Sequence, residues 1–320
     1  MYEEFYDLRE RPFSLTPNPR FVFYSERYRT ALDELMYGIG RKEGFMLLTG
    51  LPGTGKTTLS RDLLDKLNHN KHRSALLFNP FLTGTEMLQA LLSEFRVPAP
   101  STTSKTTLLE TLNKFLLEQL SAGRTCVAIF DEAQHLSAEF LEQIRVLSNL
   151  ETADEKLIQI VLVGQPELIE RLRMPGMAQL EQRVSVRCGL SFMNLEETKR
   201  YIYHRLNVAG AQGRVEFTTP AIRTIYKESR GIPRRINAVC DQALLAGYVG
   251  RRRKIGTKEV EQAVASLRGD EPDVSPVPAA PPRRWVRILG IAVTVVALAG
   301  LTLYVLHMTG VITLMGLPRR

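Results

Sequence analysis

The eight residues Gly50-Leu51-Pro52-Gly53-Thr54-Gly55-Lys56-Thr57 fit the pattern G-x-x-x-x-G-K-[ST] at every fixed position. Before them, residues 44–49 read as a short buried strand. After them, residues 58–67 read as an amphipathic helix. A strand that enters a glycine-rich turn and leaves through a helix N-terminus sets main-chain N–H groups and the positive end of the helix dipole around an anion. This context predicts an α/β P-loop NTPase with a parallel sheet flanked by helices. Lys56 is expected to reach the β- and γ-phosphates of ATP, and the Thr57 hydroxyl to ligate Mg²⁺. Gly50, Pro52, Gly53, Thr54, Gly55 and Thr58 complete the expected phosphate cradle.

A second element fits the first. Thr125-Cys126-Val127-Ala128-Ile129-Phe130 is an apolar strand that ends in two carboxylates, Asp131 and Glu132. An acid at a buried strand's tip can hold the metal, and its neighbour can polarise a water molecule for attack on phosphorus. We assign Asp131 to Mg²⁺ and Glu132 to water activation. Residues 156–165 form another apolar run, ending in Gln165. That amide has two readings: contact with the γ-phosphate or attacking water, or a plain polar strand end. A last strand is expected over 184–190. Its preceding arginine, Arg183, projects either to a neighbouring subunit's nucleotide or into a surface salt bridge.

The remaining chain predicts the domain plan. A lead-in of aromatics and prolines covers 1–40, ending in a helix over 26–38. The ATPase core spans 41–190. Helices are expected over 84–95, 105–121 and 133–150 within it. From 191 to 268 the pattern is purely helical, with segments over 195–208, 219–229, 233–248 and 257–267, and Thr257 as an N-cap. This small all-helical lid is followed by a Pro-rich basic linker over 269–287. Residues 288–306 are then uncharged for 19 positions, about 28 Å as a helix, which predicts one C-terminal transmembrane helix with a short tail over 307–320.

Charge supports the same plan. The net charge is +8 overall. Residues 251–320 hold 11 Lys and Arg against 5 Asp and Glu, so +6 of it sits near the apolar tail. That favours an anionic membrane surface over nucleic acid, with Arg283, Arg284, Trp285 and Arg287 at the cytoplasmic interface. The opening residues 1–7 lack a basic start and an apolar run, so no signal peptide is expected. The expected localisation is the bacterial inner membrane, single-pass, with the ATPase part in the cytoplasm. Cys126, Cys188 and Cys240 lack metal-ligand spacing and read as buried thiols.

The phosphate loop, Asp131-Glu132-Ala133-Gln134, Val163-Gly164-Gln165-Pro166-Glu167-Leu168, Gln182-Arg183 and Gly231-Ile232-Pro233-Arg234 together resemble the AAA+ ATPases. More closely they resemble the secretion-pathway A-type branch, as does the opening Phe5-to-Pro19 stretch. Similar ATPases accompany exosortase and polysaccharide-export systems. The resemblance implies Gln165 in the sensor-1 position, Arg183 in the arginine-finger position and Arg234 in the sensor-2 position, with Arg187 and Arg235 as rival arginines. It also implies ATP/ADP exchange, homo-oligomers, and coupling to an inner-membrane or cytoplasmic export-machinery protein. Long members carry a peptidoglycan-binding domain beyond the span, which this short tail does not match.

The leading expectation is a membrane-anchored ATPase that assembles or energises an envelope secretion or polysaccharide-export system. The alternative is a DNA-binding regulator of the transposition type. A helicase reading of Asp-Glu-Ala-Gln fails because too little chain follows Asp131 for a second RecA-like domain. A slow or non-hydrolysing nucleotide-gated scaffold is the remaining alternative, against which Glu132 argues.

Overall fold

Every second residue of the apolar strands faces one helix layer and the intervening residues face another. The computed structural model describes residues 1–269 apart from 79–81, 99–103 and 154. Its helices are α1 (Tyr2–Phe5), α2 (Glu26–Gly40), α3 (Lys56–Lys66), α4 (Gly84–Glu94), α5 (Lys105–Ser121), α6 (Ala138–Leu147), α7 (Glu167–Leu172), α8 (Ala178–Glu181), α9 (Leu195–Val208), α10 (Thr219–Ser229), α11 (Pro233–Val249) and α12 (Thr257–Arg268). Its strands are β1 (Phe45–Gly50), β2 (His72–Leu77), β3 (Thr125–Phe130), β4 (Ile158–Gly164), β5 (Val186–Leu190), β6 (Glu216–Phe217) and β7 (Lys254–Ile255).

The first five strands form one parallel sheet in the order β2-β3-β4-β1-β5. Phe45, Leu47, Ala128, Phe130, Ile158, Ile160 and Leu162 point to α4, α5, α6 and α7. Met46, Leu48, Val127, Ile129, Val161, Val163 and Cys188 point to α2 and α3. The central strand β4 is buried at all seven positions, as a strand covered on both faces must be. Because the strands are parallel, the tips of β1, β3 and β4 reach the same end of the sheet as neighbours, where ligands bind in open α/β folds.

The lid region has its own core. Ile202, Leu206, Ile222, Ile225, Ile236, Cys240, Leu244 and Val260 gather there with Tyr2, Tyr6, Leu8, Phe13 and Phe21 of the lead-in. The Tyr6 hydroxyl donates to the carbonyls of Leu244 and Arg252, both at 3.0 Å. Buried Arg205 donates through Nε to Pro12 O at 2.5 Å and through Nη1 to the Tyr201 hydroxyl at 2.8 Å. The first residues therefore fasten to helices about two hundred positions later in the chain. Farther along, Tyr24 and Tyr28 donate to Asp62 of α3.

Several expectations are corrected. The single helix expected over 133–150 is two pieces. A 3-10 turn over Ala133–His135 ends at Leu136, and Ser137 caps α6 by accepting from Phe140 N at 3.0 Å. The cap of α12 is Gly256, whose N–H donates to Glu259 Oε2 at 2.8 Å, with Thr257 the first helical residue. The lead-in opens with the short helix α1, which its mix of aromatics and prolines did not announce. The transmembrane segment 288–306, the linker beyond Gly269 and the tail 307–320 lie outside the described residues. Among the described residues no helix is long and apolar enough to cross a membrane, which overturns the single-pass inner-membrane localisation.

Candidate functional site

The loop between β1 and α3 is held open by its own backbone. Gly53 and Gly55 adopt φ of 80° and 103°, the left-handed region that costs glycine nothing. A Cβ on Gly53 would meet Arg234 Cβ at 2.8 Å, so no larger residue fits beneath the lid. The Arg234 N–H also donates to Gly53 O at 3.3 Å, joining the start of α11 directly to the loop. Thr54 Oγ1 donates to Leu51 O at 2.8 Å and closes the turn.

Buried Lys56 donates through Nζ to Gly50 O at 2.8 Å and Leu51 O at 3.2 Å. Desolvation lowers its pKa; Glu132, Asp131 and Glu167 pull the other way. Among the described residues it forms no ion pair. It is a buried cation satisfied by neutral carbonyls, which an anion can displace.

Asp131 follows the last residue of β3 and is buried. Its Oδ2 accepts from Thr57 Oγ1 at 2.7 Å and its Oδ1 from the Glu132 N–H at 2.8 Å. Desolvation nonetheless raises its pKa. A hydroxyl and a buried carboxylate, two hard oxygen donors brought together across β1 and β3, suit Mg²⁺. Glu132 adopts φ of 53°, unusual for a residue with a side chain and a conformation that surrounding contacts must hold. Its Oε2 accepts from Gln134 Nε2 at 2.6 Å. At the tip of β4, the Gln165 N–H donates to Gln134 Oε1 at 3.0 Å.

The structure thus gathers Gly50, Gly53, Thr54, Gly55, Lys56, Thr57, Asp131, Glu132 and Gln165 at one end of the sheet, with Arg234 above Gly53. Exposed Pro52 and half-buried Thr58 flank that loop at its turn and on the first turn of α3. Arg183 lies elsewhere. It precedes β5 at the opposite end of the sheet, on the order of 15 Å from the loop by strand rise. There its Nη1 donates to Ser148 Oγ at 2.8 Å. Arg187 lies on edge strand β5 and donates to Glu181 O at 3.2 Å. Arg235 turns away from the loop and lines a groove with Lys227, Arg230 and Arg268 between α10, α11 and α12. The cysteines are buried thiols, with Cys126 pushed up to about 12 by desolvation.

Sequence patterns alone gave Gln134 and Arg171 no role. Gln134 stands two residues after Glu132, a position where a polar group on a buried face is the available signal. Arg171 of α7 donates to the carbonyls of Gln134 and Leu136, and no local pattern announces that contact.

Comparison with known proteins agrees with this geometry. A family model described as an AAA domain matches residues 39–172. The general secretion pathway protein A of Aeromonas hydrophila is 42% identical over 269 residues, 84% of this chain. The chain carries an AAA domain of the general secretion pathway protein A type. It spans about half of that curated relative, 49% of its length. Solved structures share the fold at lower identity. The Drosophila ORC bound to DNA matches with a TM-score of 0.63 and 16% identity, over 83% of this chain and 65% of that chain. The Aeropyrum pernix ORC2 protein in ADPNP-ADP complexes matches at 0.60 and 16%, over 80% and 71%. The Thermotoga maritima RuvB Holliday junction branch migration motor matches at 0.51 and 21%, over 77% and 70%.

Proposed function

We propose that this chain binds ATP with Mg²⁺, hydrolyses it to ADP and phosphate, and uses the cycle to assemble or energise an envelope secretion or polysaccharide-export system. The observation that carries the chemistry is the meeting of Lys56, Thr57, Asp131 and Glu132 where β1 and β3 end, on either side of the tip of β4. The secretion role rests on the relationship to general secretion pathway protein A.

In this reading the N–H groups from Gly53 to Thr58 cradle the phosphates, and Lys56 exchanges its carbonyl partners for phosphate oxygens. Thr57 and Asp131 hold Mg²⁺, which supplies positive charge against the phosphates. Glu132 accepts a proton from the attacking water. Gln165 reads the γ-phosphate and Arg234 contacts the nucleotide from the lid. Arg183, remote from its own loop, serves the site of a neighbouring subunit in a homo-oligomer.

The test is steady-state phosphate release by the purified full chain. Turnover with Mg²⁺ that disappears with excess EDTA is expected. Nucleotide binding with no release in either condition contradicts hydrolysis and leaves a nucleotide-gated scaffold.

A further inference from the structure

We propose that Gln134 is a positioning residue that couples the Glu132 carboxylate to the tip of β4, so that the two move as one unit. The inference rests on the hydrolytic reading of the site.

A primary amide has a donor end and an acceptor end. Gln134 uses both on opposite partners. Its Nε2 donates to Glu132 Oε2 at 2.6 Å, and its Oε1 accepts from the Gln165 N–H at 3.0 Å. The reversed amide would set its oxygen against a carboxylate and its NH₂ against an N–H, two repulsive contacts. The orientation is therefore fixed by the neighbours. The side chain is buried, so neither bond is readily replaced by water.

The surroundings fix the backbone too. Arg171 spans from α7 to the carbonyls of Gln134 and Leu136, holding the 3-10 turn against the helix that follows β4. A Cβ on Gly164 would lie 3.0 Å from Gln134 Oε1 and 3.3 Å from Gln134 N, so the turn sits directly on the strand end. These contacts account for the left-handed backbone of Glu132, which nothing in its own sequence neighbourhood favours.

The consequence is geometric. One oxygen of Glu132 is pinned, which leaves the other oriented for a water molecule. The pin is shared with the main chain of Gln165, so a displacement of β4's tip moves the carboxylate. Only a side chain that both donates and accepts at this length makes that link. Glutamate at the same position repels Glu132, and methionine keeps the bulk but loses both bonds.

The experiment is a double-mutant cycle on the full chain with Mg²⁺-ATP. Gln134→Ala and Gln134→Met are expected to lower kcat by about 10- to 100-fold, the cost of a misoriented catalytic group, with KM and nucleotide affinity unchanged. On the Glu132→Gln background the same changes are expected to have no further effect, because the group they orient is already inactive. Methionine guards against a cavity that unfolds the alanine variant, and melting temperatures are read alongside. Multiplicative losses in the cycle, or wild-type kcat in Gln134→Met, overturn the coupling while leaving hydrolysis intact. A wild-type chain that binds ATP without releasing phosphate overturns the hydrolytic reading, and the coupling with it.

Discussion

The two ends of the sheet treat charge in opposite ways. At the end where β1 and β4 begin, Lys42 pairs with Glu155 at 2.6 Å, Lys156 pairs with Glu151, and Arg183 rests on Ser148. Where the strands finish, Lys56, Asp131 and Glu132 form no ion pair among the described residues and take hydrogen bonds from or to neutral groups. Exposed pairs of the first kind contribute little to stability. Buried unpaired charges such as Lys56 and Asp131, with half-buried Glu132 beside them, cost free energy, and a fold keeps them where a ligand of opposite charge completes them. The contrast teaches that paired charges close one end of the sheet, whereas the other keeps its charges among neutral hydrogen-bond partners.

The sharpest break of this comparison is Glu132→Gln, which keeps the hydrogen-bonding shape and removes the carboxylate. We expect kcat to fall by about 10²- to 10³-fold with ATP affinity retained, read by single-turnover hydrolysis. A normal rate removes Glu132 from its role. Next is Arg183→Ala, at the paired end. It is expected to lose roughly 10-fold or more in turnover and to regain part of it when mixed with Lys56→Ala subunits, if it completes a neighbour's site. No recovery at any mixing ratio confines Arg183 to its Ser148 contact.

Smaller effects fall on stability. Asp131 has a raised pKa in the folded protein, so its ionisation opposes folding. That penalty is absent below the unfolded pKa and grows as pH rises through the folded one. Asp131→Asn is therefore expected to raise the apoprotein melting temperature at neutral pH by roughly 2–4 °C, as ~1 kcal/mol does in a domain of this size, while abolishing turnover. The gain shrinks as pH falls into the carboxylate range. The smallest change tests the exception at the paired end. Gln159 of β4 is fully buried, and neither of its amide atoms has a hydrogen-bond partner among the described residues. Gln159→Met is expected to stabilise by about 1 kcal/mol in urea unfolding and leave hydrolysis unchanged. Lost stability shows that the amide has a partner role.

Legibility in the sequence followed how local each feature is. The strand and helix around the glycine-rich loop, and the apolar strand before Asp131, are contiguous patterns, and β1, α3 and β3 stand where those patterns put them. Helices α5, α9 and α10 match the expected ranges because their apolar residues keep helical spacing, and Asn194 and Thr218 cap the last two. The break at Leu136–Ser137 was hidden, because Leu136, Phe140, Ile144 and Leu147 keep helical spacing across it. The Gln134 link was invisible because it depends on β3 and β4 being neighbours although 27 residues separate Phe130 from Ile158. That Arg234 and not Arg235 stands over the loop depends on the packing of α11 on Gly53, which no local pattern announces. The union of the lead-in with the lid rests on Tyr6 and Arg205, whose partners lie about two hundred residues away.

The most direct measurement is calorimetric binding of Mg²⁺-ATP to the wild-type chain and to Lys56→Ala at matched folding. Saturable binding to the wild type, weakened at least ~10-fold by the substitution, is expected of a cation that faces the phosphates. Equal affinity in the two proteins, or no binding to either, contradicts the central claim.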